Sequence, residues 1–250
     1  MRYVVIYSNS TAPPYTCENG EAAVEGPTTV LTTMTQITTP SSIEYVLPTG
    51  IEVLDEHLDG GLQPGGIVAL IASPVSQSEL ILAKFSNERE TLYLTLQRTP
   101  EAVRRTLSRS GANMDNVAVR LVDHDRLLDD SYLLISEITS PANVIIDPTN
   151  VIESEADHRL WAFLNAAQSH LTDVGGLLIL HCLTGETKSP GRVTTEHMAD
   201  VVFQLETDYL GDTVENRLLV PKIRGGRALP QVIKLELTND VAIDTSRDIA

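Results

Sequence analysis

The sequence predicts an α/β domain whose mostly parallel central sheet is flanked by helices and ends in a C-terminal antiparallel hairpin. Three observations predict it. From Leu47 onward, apolar runs of strand length recur at intervals. Segments with apolar residues at helical spacing separate several of them, the pattern of a sheet covered on both faces. After Arg217 the strands follow one another with turn signals and no helix, which marks an antiparallel edge.

In chain order, the expected strands are Ile67 to Ala72, Thr91 to Leu96, Val117 to Val122, Val144 to Ile146, Leu177 to Leu180 and Val201 to Leu205. Arg217 to Ile223, Gln231 to Leu237 and Val241 to Ile243 complete the set. Pro100 to Ser110 is an expected helix. So is Glu155 to Leu171, with Leu160, Trp161, Leu164, Ala167 and Leu171 as its apolar residues. Between Ser78 and Thr91 only about two to three helical turns fit, at ~3.6 residues per turn.

The chain of 250 residues carries a formal charge of -16, with 34 Asp and Glu against 18 Lys and Arg. That balance opposes autonomous binding to nucleic acid or to an anionic membrane, both of which draw on positive charge. No run approaches the ~18 consecutive apolar residues of a membrane span. Only Cys17 and Cys182 are present, so neither a disulfide framework nor a cysteine metal site is expected, and a reducing cytoplasm is the default. Arg outnumbers Lys by 14 to 4, which together with the acidic surplus reads as a salt-adapted surface. An ordinary acidic protein is the alternative, because net charge speaks to solubility and not to fold.

Residues 1–40 differ from the rest, with nine Thr and only Arg2, Glu18, Glu21 and Glu25 charged. Pro13-Pro14 and Gly26-Pro27 interrupt any period. The expected organisation is a disordered or non-native extension over 1–40 and a single domain over 41–250, with Met34 as a candidate start.

One series of motifs organises the domain. Thr49-Gly50-Ile51-x-x-Leu54-Asp55 is followed by Gly60-Gly61-Leu62-x-Pro64-Gly65, then by an apolar strand and a loop. Further on come Thr91 to Thr99 with Pro100-Glu101, Val144 to Asp147, Leu178 to His181, Met198-Ala199-Asp200-Val201-Val202, and Lys222-Ile223-Arg224-Gly225. This order resembles the KaiC-like branch of the RecA-superfamily ATPases, archaeal and of haloarchaeal type, from Pro48 to Asp240. The resemblance implies a RecA-like P-loop NTPase fold, a Walker-B-like acid at Asp147, and rings or filaments as a route to self-assembly.

The chemistry expected of that family is missing. A phosphate loop reads G-x-x-x-x-G-K-[ST], its backbone N–H groups wrapping phosphate, its Lys neutralising charge and its hydroxyl binding magnesium. The aligned residues are Ala72, Ser73, Pro74, Val75, Ser76, Gln77, Ser78 and Glu79. Ala72 and Gln77 replace the glycines, and Gln77 disfavours a left-handed backbone. Ser78 removes the cation, and Glu79 adds an anion that repels a charge ~4 Å away by about 4 kcal/mol at an effective dielectric of ~20. The resemblance also implies an acidic pair after the second strand to activate water, where Gln97 and Arg98 stand instead. Asp147 remains, either as a water-mediated metal holder or as a plain strand-end acid.

Lys222 and Arg224 match a pair that, in hexameric relatives, reaches a neighbour's phosphate as a trans finger. The alternative is two exposed basic residues at a strand end, and Arg224 to Arg227 also fits a small anion site. Asp123-His124-Asp125 and Asp129-Asp130 resemble a metal cluster in composition, though helix capping and solvation explain such acids well. His158, His170, His181 and His197 show no metal-ligand spacing. A Ser-His-Asp set can be assembled on paper from Ser73, His181 and Asp147, yet no G-x-S-x-G elbow exists.

The sequence therefore reads as a pseudo-ATPase without catalytic residues or resident cofactor, a regulatory or scaffolding partner of another protein, an active paralogue being one candidate. A divergent enzyme that binds ATP and magnesium, and a DNA recombination or repair accessory protein, are the rival readings.

Overall fold

The computed structural model describes residues 45–130, 134–210, 213–238 and 241–243; the expected extension over 1–40 and its Met34 lie outside the described residues. Among the described residues, one nine-stranded sheet runs in the order β3-β2-β4-β5-β1-β6-β7-β8-β9. The strands are β1 (Ile67–Ala72), β2 (Thr91–Thr95), β3 (Val117–Leu121), β4 (Asn143–Asp147), β5 (Leu177–Leu183), β6 (Val201–Leu210), β7 (Thr213–Ile223), β8 (Ile233–Leu237) and β9 (Val241–Ile243). Pairing is parallel from β3 through to β6. It turns antiparallel from β6 to β9. The α/β architecture with an antiparallel C-terminal hairpin is as expected from the strand spacing.

The helices are α1 (Glu52–His57), α2 (Ser78–Glu88), α3 (Pro100–Arg109), α4 (His124–Asp129), α5 (Asn150–Glu153), α6 (Asp157–Val174) and α7 (Arg192–Met198). Two apolar layers follow from the two-residue period of the strands. One face of the sheet packs Leu70, Tyr93, Ile145, Ile179 and Phe203 with Ile81, Leu82 and Phe85 of α2 and Val103 and Leu107 of α3. The other packs Ala69, Leu94, Ile146, Leu178 and Leu180 with α6. No helix among the described residues is long and apolar enough to cross a membrane.

Two expectations are corrected in detail. Helix α6 buries Leu160, Phe163, Leu164, Ala167 and Leu171, whereas Trp161 is 55% exposed. Trp161 stands one residue, or ~100°, beyond Leu160 and so falls off the buried stripe. The hairpin arms β6 and β7 run on past the apolar segments Val201 to Leu205 and Arg217 to Ile223, pairing as far as Leu210 with Thr213. Their outer halves are held by polar cross-strand contacts, with Arg217 bonded to Asp208 and Thr207 Oγ1 to Asn216 Oδ1 at 2.9 Å.

The Gly-rich opening segment works as a set of backbone locks. Asp55 accepts the amides of Thr49 at 2.7 Å and Gly50 at 3.2 Å, closing the turn ahead of α1. Leu47 and Leu62 exchange backbone hydrogen bonds beside Gly61, whose φ is 144° and where a Cβ would meet Leu47 O at 2.3 Å. At the other end of the sheet's inner strands, Arg192 Nε donates to Glu153 Oε1 at 2.7 Å, with side chains 3% and 0% exposed. Burial, and then the neighbouring Glu153, push the Cys182 thiol far up, so that it behaves as an apolar filler. Arg192→Met leaves Glu153 as a buried, unpaired carboxylate; it is expected to destabilise the domain by about 3–5 kcal/mol in urea unfolding.

Candidate functional site at the ends of the inner strands

The C-terminal edge of the parallel strands gathers the residues that matter. Tyr93 pairs in register with Ile145, and Ile145 with Ile179, so the two-residue period carries Asp147 and His181 to the same sheet face as Tyr93. That face is the one α2 covers, and α2 begins at Ser78 directly after the loop that leaves β1. Four elements thus aim one polar side chain each at a common point.

The four form a continuous hydrogen-bonded chain. Ser78 Oγ lies 3.0 Å from His181 Nε2. His181 Nδ1 lies 2.6 Å from Asp147 Oδ1, and the Tyr93 hydroxyl donates to Asp147 Oδ2 at 2.6 Å. An ionised carboxylate only accepts, so Nδ1 carries a proton; in the neutral imidazole Nε2 then accepts from the Ser78 hydroxyl, and in the imidazolium it donates to that oxygen. All four residues are buried, Ser78 at 2%, His181 at 4%, Asp147 at 5% and Tyr93 at 1% exposure. Burial drives the Asp147 carboxyl upward, but the hydrogen bonds and charge of His181, the Tyr93 hydroxyl and the Arg98 charge outweigh it and hold the group below its ordinary 3.8. Burial, and then Asp147, raise the Tyr93 phenol well above 10.0.

A cleft of about 210 Å³ opens onto this chain, lined by Pro74, Glu79, Gln97, Arg98, Pro148 and Leu183 besides Ser78, Asp147 and His181. Both oxygens of Asp147 are engaged within the protein, so a metal there would share them with His181 and Tyr93. Gln97 and Arg98, at the expected base positions, lie beside the cleft. Arg98 Nη1 stands 3.7 Å from Glu79 Oε1, both about a third exposed, and its Nη2 donates to Thr106 Oγ1 at 2.6 Å.

The loop from Ala72 to Glu79 turns its donors inward. Ser76 N donates to Ser73 O at 2.9 Å and Val75 N to Ser73 Oγ at 3.4 Å, while Ser76 Oγ also bonds Ser73 O at 2.6 Å. Gln77 takes φ −98° and precedes the helix without a left-handed step. Pro74, Val75 and Gln77 are exposed, and Ala72 ends β1 fully buried, its carbonyl accepting from Thr184 N at 2.8 Å. In place of a wide anion nest this segment is a tight turn closed on its own oxygens.

Lys222 and Arg224 are at the opposite end of the sheet, beside the start of β1. Lys222 Nζ donates to the carbonyls of Glu196 at 2.7 Å and His197 at 2.9 Å. Arg224 bonds Asp200 Oδ1 at 2.7 Å and His197 O at 2.5 Å. The two cations thus cap the C-terminus of α7, where carbonyls lack helical partners. Burial and then Arg224 lower the Lys222 ammonium. Asp200 completes the junction, its other oxygen accepting Ile67 N at 2.9 Å and Gln168 Nε2 at 2.8 Å. A trans finger would have to release these carbonyls first.

The remaining candidates have local explanations. Asp123 caps α4, accepting the amides of Asp125 at 3.0 Å and Arg126 at 3.3 Å. Arg159 Nη2 bridges Asp125 and Asp129 at 2.9 Å each. His170 Nε2 contacts the Ile138 carbonyl at 2.9 Å. The Ser-His-Asp grouping assembled on paper with Ser73 is corrected by five residues: Ser78, and not Ser73, reaches His181. Ser73 spends its oxygens on the turn itself. Neither Ser78 as the partner of His181 nor Tyr93 as the partner of Asp147 was legible, since both contacts span over fifty positions and depend on strand register.

Sheet order and the antiparallel C-terminal end together define a RecA-like α/β fold. A solved KaiC-like protein from the hyperthermophilic archaeon Pyrococcus horikoshii superposes with a TM-score of 0.65 at 19% identity, over 80% of this chain and 99% of that one. More particularly, a family model described as a family of unknown function (DUF7125) matches residues 46–250, and the chain belongs to that family. Curated relatives called DNA repair protein RadA, from two strains of Mycobacterium tuberculosis, are 29% identical over 181 residues. That match takes in 66% of this chain and 36% of their length.

Two outcomes are expected. Tyr93→Phe removes one hydrogen bond to a buried charge, and thermal or urea unfolding is expected to show a loss of roughly 1.5–3 kcal/mol. Asp147 has a folded value below its unfolded one, so it contributes stability above about pH 3.8 that is lost as pH falls through the folded value. Asp147→Asn is expected to be less stable at pH 7 and to show a flatter decline below about pH 4 in melts across that range.

Proposed function

We propose that this chain is a catalytically degenerate RecA/KaiC-like protein that does not turn over ATP and serves as a regulatory or scaffolding partner, an active paralogue being the favoured candidate. The observation that carries this reading is the loop at Ala72 to Glu79. Its Lys position is Ser78, bonded to His181, and the amides of Val75 and Ser76 turn onto Ser73. The loop itself carries no cation, and Arg98, the basic residue beside it, is paired with Glu79 at the hydroxyl position, so little net positive charge meets a triphosphate. The family resemblance supports a protein partner or self-assembly, while the acidic charge of -16 argues against autonomous nucleic-acid binding. The Arg-rich, acidic composition supports a halophilic setting; an archaeal, cytoplasmic protein without a resident cofactor completes the proposal.

A second reading, a DNA recombination or repair accessory protein, is favoured by the similarity to RadA. It would act through a basic partner or at high salt, given the charge. A divergent ATPase, with ATP and magnesium held near Asp147, is the enzyme alternative.

Calorimetric titration with ATP and magnesium, in dilute buffer and in roughly molar KCl, separates these readings. No heat at millimolar ATP in folded protein is the expected outcome; micromolar binding would overturn the pseudo-ATPase reading. Coelution with a paralogue that has an intact phosphate loop favours the scaffold, and salt-sensitive retention on DNA favours the repair reading. If Lys222 and Arg224 act in trans, their joint replacement by Ala lowers that paralogue's ATPase rate by about 10³-fold or more.

A further inference from the structure

We infer that Ser78, His181 and Asp147 form a nucleophilic site, with Ser78 as nucleophile and His181 as base, that accepts a small, uncharged acyl ester. The inference goes beyond the pseudo-ATPase reading and does not rest on it.

The geometry is that of an activated serine. Ser78 Oγ and His181 Nε2 are 3.0 Å apart, and His181 Nδ1 and Asp147 Oδ1 are 2.6 Å apart. These fall within the reach required of a nucleophile, a base and the group that orients the base. The Tyr93 hydroxyl pins the second oxygen of Asp147, so the carboxylate cannot rotate away from the imidazole without losing a bond. The cleft of about 210 Å³ has Ser78 and His181, 2% and 4% exposed, in its lining.

Chain order and position agree with the geometry. The three follow one another as Ser, Asp, His, the order seen in α/β-hydrolases. Ser78 is the first residue of α2, on a strand-turn-helix connection at the C-terminal edge of a mostly parallel sheet. Among the described residues, the amides of Ser78 and Glu79 have no acceptor. They are the free donors of a helix start, and the amide that follows the nucleophile is a usual oxyanion donor.

The cleft is smaller than the ~300 Å³ at which drug-sized pockets begin, which favours a short acyl group. Glu79 and Arg98 at its side pair with each other, so the mouth offers no net charge to an ionic substrate.

The chemistry balances without any further reagent than water. Ser78 Oγ bonds to the ester carbonyl carbon while its proton passes to His181 Nε2. The bond to the leaving alkoxide breaks, and the alkoxide takes that proton to depart as an alcohol. Water then attacks the acyl-serine, gives a proton to His181, and the serine oxygen recovers it as the carboxylic acid leaves. Asp147 and Tyr93 are positioning residues that hold the imidazole tautomer.

The test is incubation of the full chain with diisopropyl fluorophosphate, followed by intact mass and peptide mapping, alongside hydrolysis of p-nitrophenyl acetate. A single adduct on Ser78 is expected, absent in Ser78→Ala and formed at least about 100-fold more slowly in His181→Gln. Asp147→Asn is expected to lose rate by up to about 10⁴-fold, with the loss in the chemical rate constant and not in the half-saturating reagent concentration. Circular dichroism and a cooperative melt establish folding for each variant. No adduct in folded wild type overturns the inference, as does an adduct mapped to any other residue. The wild-type mapping decides the matter even if a variant fails to fold, and ATP calorimetry can succeed or fail independently of it.

Discussion

Asp147 is a carboxylate that the fold places at 5% exposure at the end of an inner strand, and much of the site's arrangement follows from satisfying it. An ionised carboxylate without partners at such a depth costs several kcal/mol. His181 and Tyr93 meet that cost from two neighbouring strands, and His181 in turn needs an acceptor's partner, which Ser78 supplies from the helix above. The result ties β2, β4, β5 and α2 together at one edge. The short hydroxyl of Ser78 turns to the protein and closes the polar chain.

The opposite edge has its own knot. Asp200 joins the amide that starts β1, the side chain of Gln168 on α6 and the guanidinium of Arg224 at the end of β7. Lys222 and Arg224 then cap α7 through its last carbonyls. Two motifs far apart in the chain, Ala199-Asp200-Val201-Val202 and Lys222-Ile223-Arg224-Gly225, thus complete one another. Their presence needs no nucleotide to explain it, because they fasten the antiparallel hairpin to the parallel core. The residues that fasten this RecA-like fold do not by themselves specify a chemistry, because a fold does not imply a function.

Some of this was legible from residue order. The strands were readable because parallel strands covered on both faces are nearly continuous apolar runs. Trp161 was misplaced and Phe163 overlooked on α6, since an apolar residue one position off the stripe looks the same in a composition but faces water. The outer hairpin arms were cut short because Glu206, Asp208 and Glu215 interrupt the apolar pattern; only the pairing shows that Glu206 faces Arg217 across the strands.

By itself, the sequence determined the α/β class, the parallel order of elements with its antiparallel end, and that neither a glycine nor a lysine stands between Ala72 and Glu79. Those properties reside in local period and residue identity, which do not need coordinates. Tertiary structure alone decided that Ser78 and not Ser73 meets His181, that Tyr93 closes the chain behind Asp147, and that Lys222 and Arg224 are bound to α7. Each of these rests on strand register and on where a helix begins. A shift of one residue in either sends a side chain to the other face of the sheet.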